Sequence, residues 1–145
     1  MIALGSDHAG FEYKERMKQI LEELRLTYRD FGTHSKDSSD YPDWAHAVAQ
    51  SISTGESDRG ILICGTGIGM SIVANKHKGV RAAACESVTA ARLARQHNDA
   101  NILTLGARIT GWESAVDIVK MFLATSFDGG RHQKRIDKIQ LLTKL

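Results

Sequence analysis

The chain reads as a three-layer α/β/α domain of Rossmann-like type, built on a five-stranded parallel sheet. Two observations predict this. Short apolar runs alternate strictly with longer segments whose apolar residues recur at helical spacing. The run Ile61-Leu62-Ile63 is also too uniformly apolar for a strand with one wet face, so helices must cover both faces of the sheet. With 145 residues, 42% of them apolar, residues 1–145 suffice for a single domain that needs neither disulfide nor metal to hold its core.

Ile2–Ser6 is the first strand, and Tyr13, Met17, Ile20, Leu21 and Leu24 mark the buried stripe of the helix after it. Thr27–Phe31 is the second strand, followed by a polar loop over 32–41. Pro42 suits the first turn of the next helix, whose apolar face is Ala45, Val48, Ala49 and Ile52. The third strand ends at Cys64 and runs through a glycine-rich turn into the helix carrying Met70, Ile72, Val73 and Ala74. Arg81–Cys85 is the fourth strand, and Ser87 caps a helix with the stripe Ala90, Leu93, Ala94 and His97. Ile102–Leu105 is the fifth strand. Thr110 and Glu113 then form a capping box ahead of Trp112, Ala115, Val116, Val119 and Phe122. The last helix begins in the segment Gly129–Arg135.

A net charge of +2 gives the chain no general attraction to nucleic acid or to a membrane surface. No apolar run is long enough to span a bilayer, and the N-terminus enters a strand without a basic region, so the expected location is the cytoplasm. Two cysteines in apolar runs, Cys64 and Cys85, fit a reducing compartment. The histidines show no ligand spacing for a metal, and no cofactor motif is present.

Ligands of open parallel sheets collect at the carboxyl ends of strands. There the sequence places Asp7 and His8, then Cys64 with Gly65, Thr66, Gly67, Ile68 and Gly69, then Arg108. A glycine-rich turn opening a helix aims backbone N–H groups at one spot and favours an anion. The turn is neither a dinucleotide fingerprint, since Met70 stands where the third glycine belongs, nor a Walker loop, since it has no lysine. It is equally readable as a tight packing turn beside an inert thiol. Asp7 is a natural helix cap; His8 is not. His97 is readable as a packed core histidine. Arg131 and Arg135, four apart, share a helix face that continues through Ile139 and Leu142, and two such guanidiniums can chelate a phosphate or carboxylate.

Five segments in order, Gly5–Gly10, Asp40–Asp43, Ile63–Gly69, Arg95–Asn101 and Gly129–Arg135, together resemble the sugar-phosphate isomerase family of ribose-5-phosphate isomerase B and the galactose-6-phosphate isomerase subunits. The resemblance runs from residue 2 to about residue 140. It implies an aldose–ketose isomerase of the pentose phosphate pathway that interconverts ribose 5-phosphate and ribulose 5-phosphate through a cis-enediolate, without cofactor or metal. By the same resemblance, Cys64 is the proton-transferring base, and Gly65 to Gly69 stabilise the enediolate. His97 assists ring opening beside Asn98, Asp7 and His8 bind substrate, and Arg108, Arg131 and Arg135 surround the phosphate. It further implies a homodimer or dimer of dimers with shared sites, reached by the C-terminal helix. The alternatives are a six-carbon substrate such as allose or galactose 6-phosphate, and a non-catalytic sugar-phosphate-binding regulator. A thiol redox protein is disfavoured because the chain has no Cys-x-x-Cys.

Overall fold

The computed structural model describes all residues from Met1 to Leu145. Its elements run β1 (Ile2–Ser6), α1 (Phe11–Glu23), β2 (Tyr28–Asp30), α2 (Tyr41–Ser53), β3 (Arg59–Cys64) and α3 (Ile68–Ala74). They continue as β4 (Ala82–Ala84), α4 (Val88–Asn98), β5 (Ile102–Gly106), α5 (Trp112–Ala124) and α6 (Arg131–Thr143). The five strands are all parallel, in the order β2-β1-β3-β5-β4.

Strand alternation divides the core into two layers. Ile2, Leu4, Ile61, Ile63, Leu103 and Leu105 face α1, α4 and α5, where Met17, Leu21, Ala91, Ile118 and Phe122 meet them. Ala3, Leu62, Cys64 and Ile102 face α2 and α3, meeting Val48, Ala49, Met70 and Ala74. The helix after β1 therefore lies on one face and the helix after β3 on the other. β1 and β3 are neighbours, so the chain opens a crevice between their carboxyl ends.

Three local expectations change. The helix expected to start at a Thr110 capping box starts at Trp112, with Gly111 as its uncapped N-cap. Thr110 is buried, and its carbonyl accepts the Tyr13 hydroxyl at 2.8 Å, which ties it to α1 instead. On α4 the fully buried residues are Ala91 and Arg95, not the stripe through His97, which is only half-buried. Arg95 tolerates burial because its guanidinium donates to Asp99 Oδ1 (2.8 Å), the Ala100 carbonyl (2.6 Å) and the Thr125 carbonyl (3.2 Å). Lys14, on α1, is wholly buried as well, and its ammonium is paired with Asp30 at 2.5 Å and Glu15 at 3.0 Å.

Candidate active site

Two turns meet at the crevice. In the first, the Asp7 carboxylate accepts the Gly10 N–H at 3.1 Å and closes the turn that leads into α1, whose N-cap is Gly10 and not Asp7 as the capping reading had it. A Cβ added to Gly10 would lie 2.1 Å from the Ile63 carbonyl oxygen, so this turn sits backbone against backbone on the end of β3. In the second, Gly67 adopts φ +78°, and an added Cβ there would come within 2.9 Å of the Leu105 backbone. That left-handed residue turns the chain so that its N–H donates to Cys64 Sγ at 3.0 Å. The Ile68 N–H goes to the Thr66 hydroxyl at 3.2 Å. Two of the donors expected to face a ligand are thus already engaged, one of them in placing a donor on the sulfur itself.

Cys64 is buried and unpaired, on the α3 face of β3. Cys85 is also free, but burial pushes its thiol up to about 11, which makes it inert near neutrality. Arg108 reaches the same crevice from the end of β5: its N–H donates to the Gly65 carbonyl at 3.0 Å, and its guanidinium lies over Gly65. His8 is half-buried beside Asp7, with Nδ1 against Ser39 of the loop before α2. The Tyr41 ring packs against Gly69, and Ile68 and Ile72 stand largely exposed along α3.

The remaining expected site residues lie elsewhere. β4 and β5 are parallel, so α4 runs back from the carboxyl edge of the sheet to its amino edge, and His97 and Asn98 sit at the amino edge. Register quantifies the separation. Gly60 pairs with Ile102 and Cys64 with Gly106, four residues apart on each strand, or about 13 Å of sheet. α6 begins at that same amino edge, where Asp128 donates its N–H to the Gln96 carbonyl at 3.1 Å. Arg131 and Arg135 are both exposed there. Within one chain, then, Asp7, His8, Cys64 to Gly69 and Arg108 come together, and His97, Asn98, Arg131 and Arg135 form a second group at the opposite end.

His132 completes this second group, and sequence reading missed it. Its ring stacks on His97 with centroids 4.5 Å apart and planes 15° apart. It is one of only two buried residues of α6, with Ile136, and the i, i+4 spacing of these two, about 100° around the helix from Arg131 and Arg135, was the available signal. Desolvation, then His97, Arg131 and Arg135, hold its imidazole below the usual histidine range, against Asp128. His97, Asp128 and His132 each bring a ligating atom within 4.8 Å of the others. Stacked rings aim their in-plane nitrogens side by side rather than at one point, and two guanidiniums add positive charge.

A parallel α/β sheet with a thiol and an arginine at its switch-point crevice has the layout of an α/β enzyme that binds its ligand at the carboxyl ends of its strands. Residues 2–139 match the family model for ribose/galactose isomerases, and the chain belongs to that family. The Escherichia coli protein named ribose-5-phosphate isomerase B is 47% identical over 138 residues, covering 95% of this chain and 93% of that protein. Among solved structures, ribose-5-phosphate isomerase B of Clostridium thermocellum superposes with a TM-score of 0.97 at 49% identity, covering 99% of this chain and 97% of the other. The Mycoplasma genitalium enzyme, solved with bound ribulose-5-phosphate, gives 0.95 at 43% identity, covering 99% and 95%.

Proposed function

We propose that this chain interconverts ribose 5-phosphate and ribulose 5-phosphate, with Cys64 as the base that carries a proton between C2 and C1. The observation behind the assignment is the contact of Cys64 Sγ with the Gly67 N–H at the switch-point crevice. The Gly67 N–H fixes the position of the sulfur at the crevice, and the thiolate is the form of a cysteine that accepts a proton. Family membership and the ribulose-5-phosphate held by the Mycoplasma genitalium enzyme support the substrate pair.

The chemistry distributes over the residues as follows. Ring opening breaks the bond between C1 and the ring oxygen, and His97 moves the proton from the C1 hydroxyl to that oxygen. The Cys64 thiolate then takes the C2 proton. Negative charge develops on the C1 oxygen of the enediolate beside Gly65 to Gly69, and preorganised donors there act without reorganisation. The C2 hydroxyl proton passes to the C1 oxygen while the thiol returns its proton to C1, which leaves the C2 carbonyl of the ketose and restores the thiolate. His8, Arg108, Arg131 and Arg135 hold the phosphate, and Asp7 and Asn98 bind the sugar hydroxyls.

Cys64 and His97 lie at opposite ends of one sheet, so one sugar phosphate meets both only where two copies of the chain join. α6 supports this reading. Ile139, Leu141 and Leu142 are 44%, 74% and 78% exposed, an apolar surface beside Arg131 and Arg135 suited to a second copy. No helix is long and apolar enough to cross a membrane, and two free thiols suit the reducing cytoplasm.

Replacing Cys64 by alanine tests the base. Turnover is expected to fall at least about a hundredfold with unchanged thermal unfolding, as for loss of a positioned base. Near-normal turnover in the folded variant refutes the assignment. Comparing kcat/KM on five- and six-carbon aldose phosphates tests the substrate.

A further inference from the structure

His8 is held from behind by residues to which the chemistry above gives no task. Ser39 brings its N–H to 3.1 Å and its carbonyl to 3.2 Å from His8 Nδ1. That nitrogen is engaged whether or not it carries a proton, since an N–H serves the bare nitrogen and a carbonyl the protonated one. Nε2 has no protein partner. The Ser39 hydroxyl in turn accepts the Trp44 indole N–H at 3.1 Å.

Trp44 is itself immobilised. It stands in the first turn of α2, half-buried against the second core layer, with its ring against Gly32, where an added Cβ would lie 2.4 Å from the ring. The segment between Gly32 and Ser39 has two ties to the rest of the fold, one near its start and one in its middle. The Thr33 N–H donates to the Ser6 carbonyl at 2.6 Å, and Lys36 pairs with Glu12 of α1 at 2.7 Å. A chain of contacts therefore runs from the rigid core through Trp44 and Ser39 to one nitrogen of His8.

We propose that Ser39 and Trp44 are positioning residues for His8: they hold its ring through Nδ1 and leave Nε2 as the donor to an oxygen of the bound sugar phosphate. The proposal rests on the reading of His8 as a substrate contact. It adds that Ser39 and Trp44 set substrate affinity without touching the substrate. A histidine with one nitrogen fixed by a second group is oriented as metal-ligating histidines are, here toward an anion.

The test uses the full-length protein in its native assembly. Trp44→Phe keeps an aromatic ring on Gly32 and removes the indole donor; Ser39→Ala removes its acceptor. Each is expected to raise KM for ribose 5-phosphate about three- to tenfold, the range for one lost neutral hydrogen bond, with kcat changed less than about twofold. The double variant is expected to be no worse than either single one, because both break the same link. Ser39→Thr retains the hydroxyl and is expected to restore the wild-type KM. Nitrogen-15 spectra of the His8 ring supply a readout independent of turnover, with shifted or broadened ring signals expected in Trp44→Phe and Ser39→Ala. Wild-type KM and unchanged His8 signals in both single variants, with His8→Ala raising KM, overturn the positioning role alone. A wild-type KM in His8→Ala overturns the substrate contact on which it rests.

Discussion

Complementation between two inactive variants tests the placement of the two residue groups. One protein carries Cys64→Ala, and the other carries Arg131→Ala with Arg135→Ala. The first lacks the base at the carboxyl edge of the sheet; the second lacks both guanidiniums at the amino edge, about 13 Å of strand away. Each lost charged hydrogen bond is worth about 1.5–3 kcal/mol, so the second variant is expected to lose at least about a hundredfold in kcat/KM. In a two-fold dimer whose sites each draw one edge from each chain, a mixed pair contains one site with both defects and one with none. Random exchange of equal amounts makes about half the dimers mixed, so about one quarter of wild-type activity returns. The assay is ribulose 5-phosphate formation below the wild-type KM, with exchange verified by native mass spectrometry of tagged chains. Absence of recovery after verified exchange refutes the shared site.

Other outcomes follow from single contacts. His97→Asn is expected to slow conversion of cyclic ribose 5-phosphate while ribulose 5-phosphate, which has no ring to open, still exchanges its C1 proton with deuterated solvent; parallel loss of exchange, read by proton NMR, contradicts a ring-opening role. Gly67→Ala forces a side chain into φ +78° and against the Leu105 backbone, so thermal melts should show a loss of about 1–3 kcal/mol together with reduced turnover. Lys14→Met leaves Asp30 with Lys18, at 2.6 Å, as its one lysine partner and is expected to cost about 3 kcal/mol in urea unfolding. For Asp30, burial favours the neutral acid, but hydrogen bonds from Lys14, Lys18 and the Gly32 N–H outweigh it and hold the carboxyl below its ordinary range. Its contribution to stability is present above the unfolded-state value, about 3.9, and disappears as pH falls through the lower folded-state value. Asp30→Asn should remove that acid-limb dependence from the stability profile, and an unaltered profile refutes it.

The sheet was legible because its strands are short, apolar and separated by periodic helices; even β4, three residues long, lies within its expected span. The faces of α1 and α4 were less so. Lys14 is a buried charge satisfied by Asp30, sixteen residues on. Arg95 draws on the Thr125 carbonyl, thirty residues on, as well as on Asp99 and Ala100 of its own helix end, so apolar periodicity alone does not reveal either burial. At the carboxyl edge, position after a strand sufficed to find Asp7, His8, Cys64 and Arg108. At the amino edge it did not. Resemblance supplied His97 and Arg131, but only the direction of α4 reveals that they face away from Cys64. His132 escaped notice because stacking between helices 35 residues apart leaves no spacing pattern.

The backbone contacts at Gly10 and Gly67 also bear on how such a site can change over time. Both turns lie against neighbouring main chain, where no larger side chain fits. These turns are thus closed to variation by single substitution, because any replacement moves a strand end as well as a turn. The walls are not. Tyr41, Ile68 and Ile72 are 40%, 53% and 58% exposed and hold no strand in register. On the proposed reading of the crevice as the sugar site, a lineage adapting this scaffold to a longer or shorter sugar keeps the two turns fixed and varies these exposed side chains, so reactivity is inherited while preference drifts.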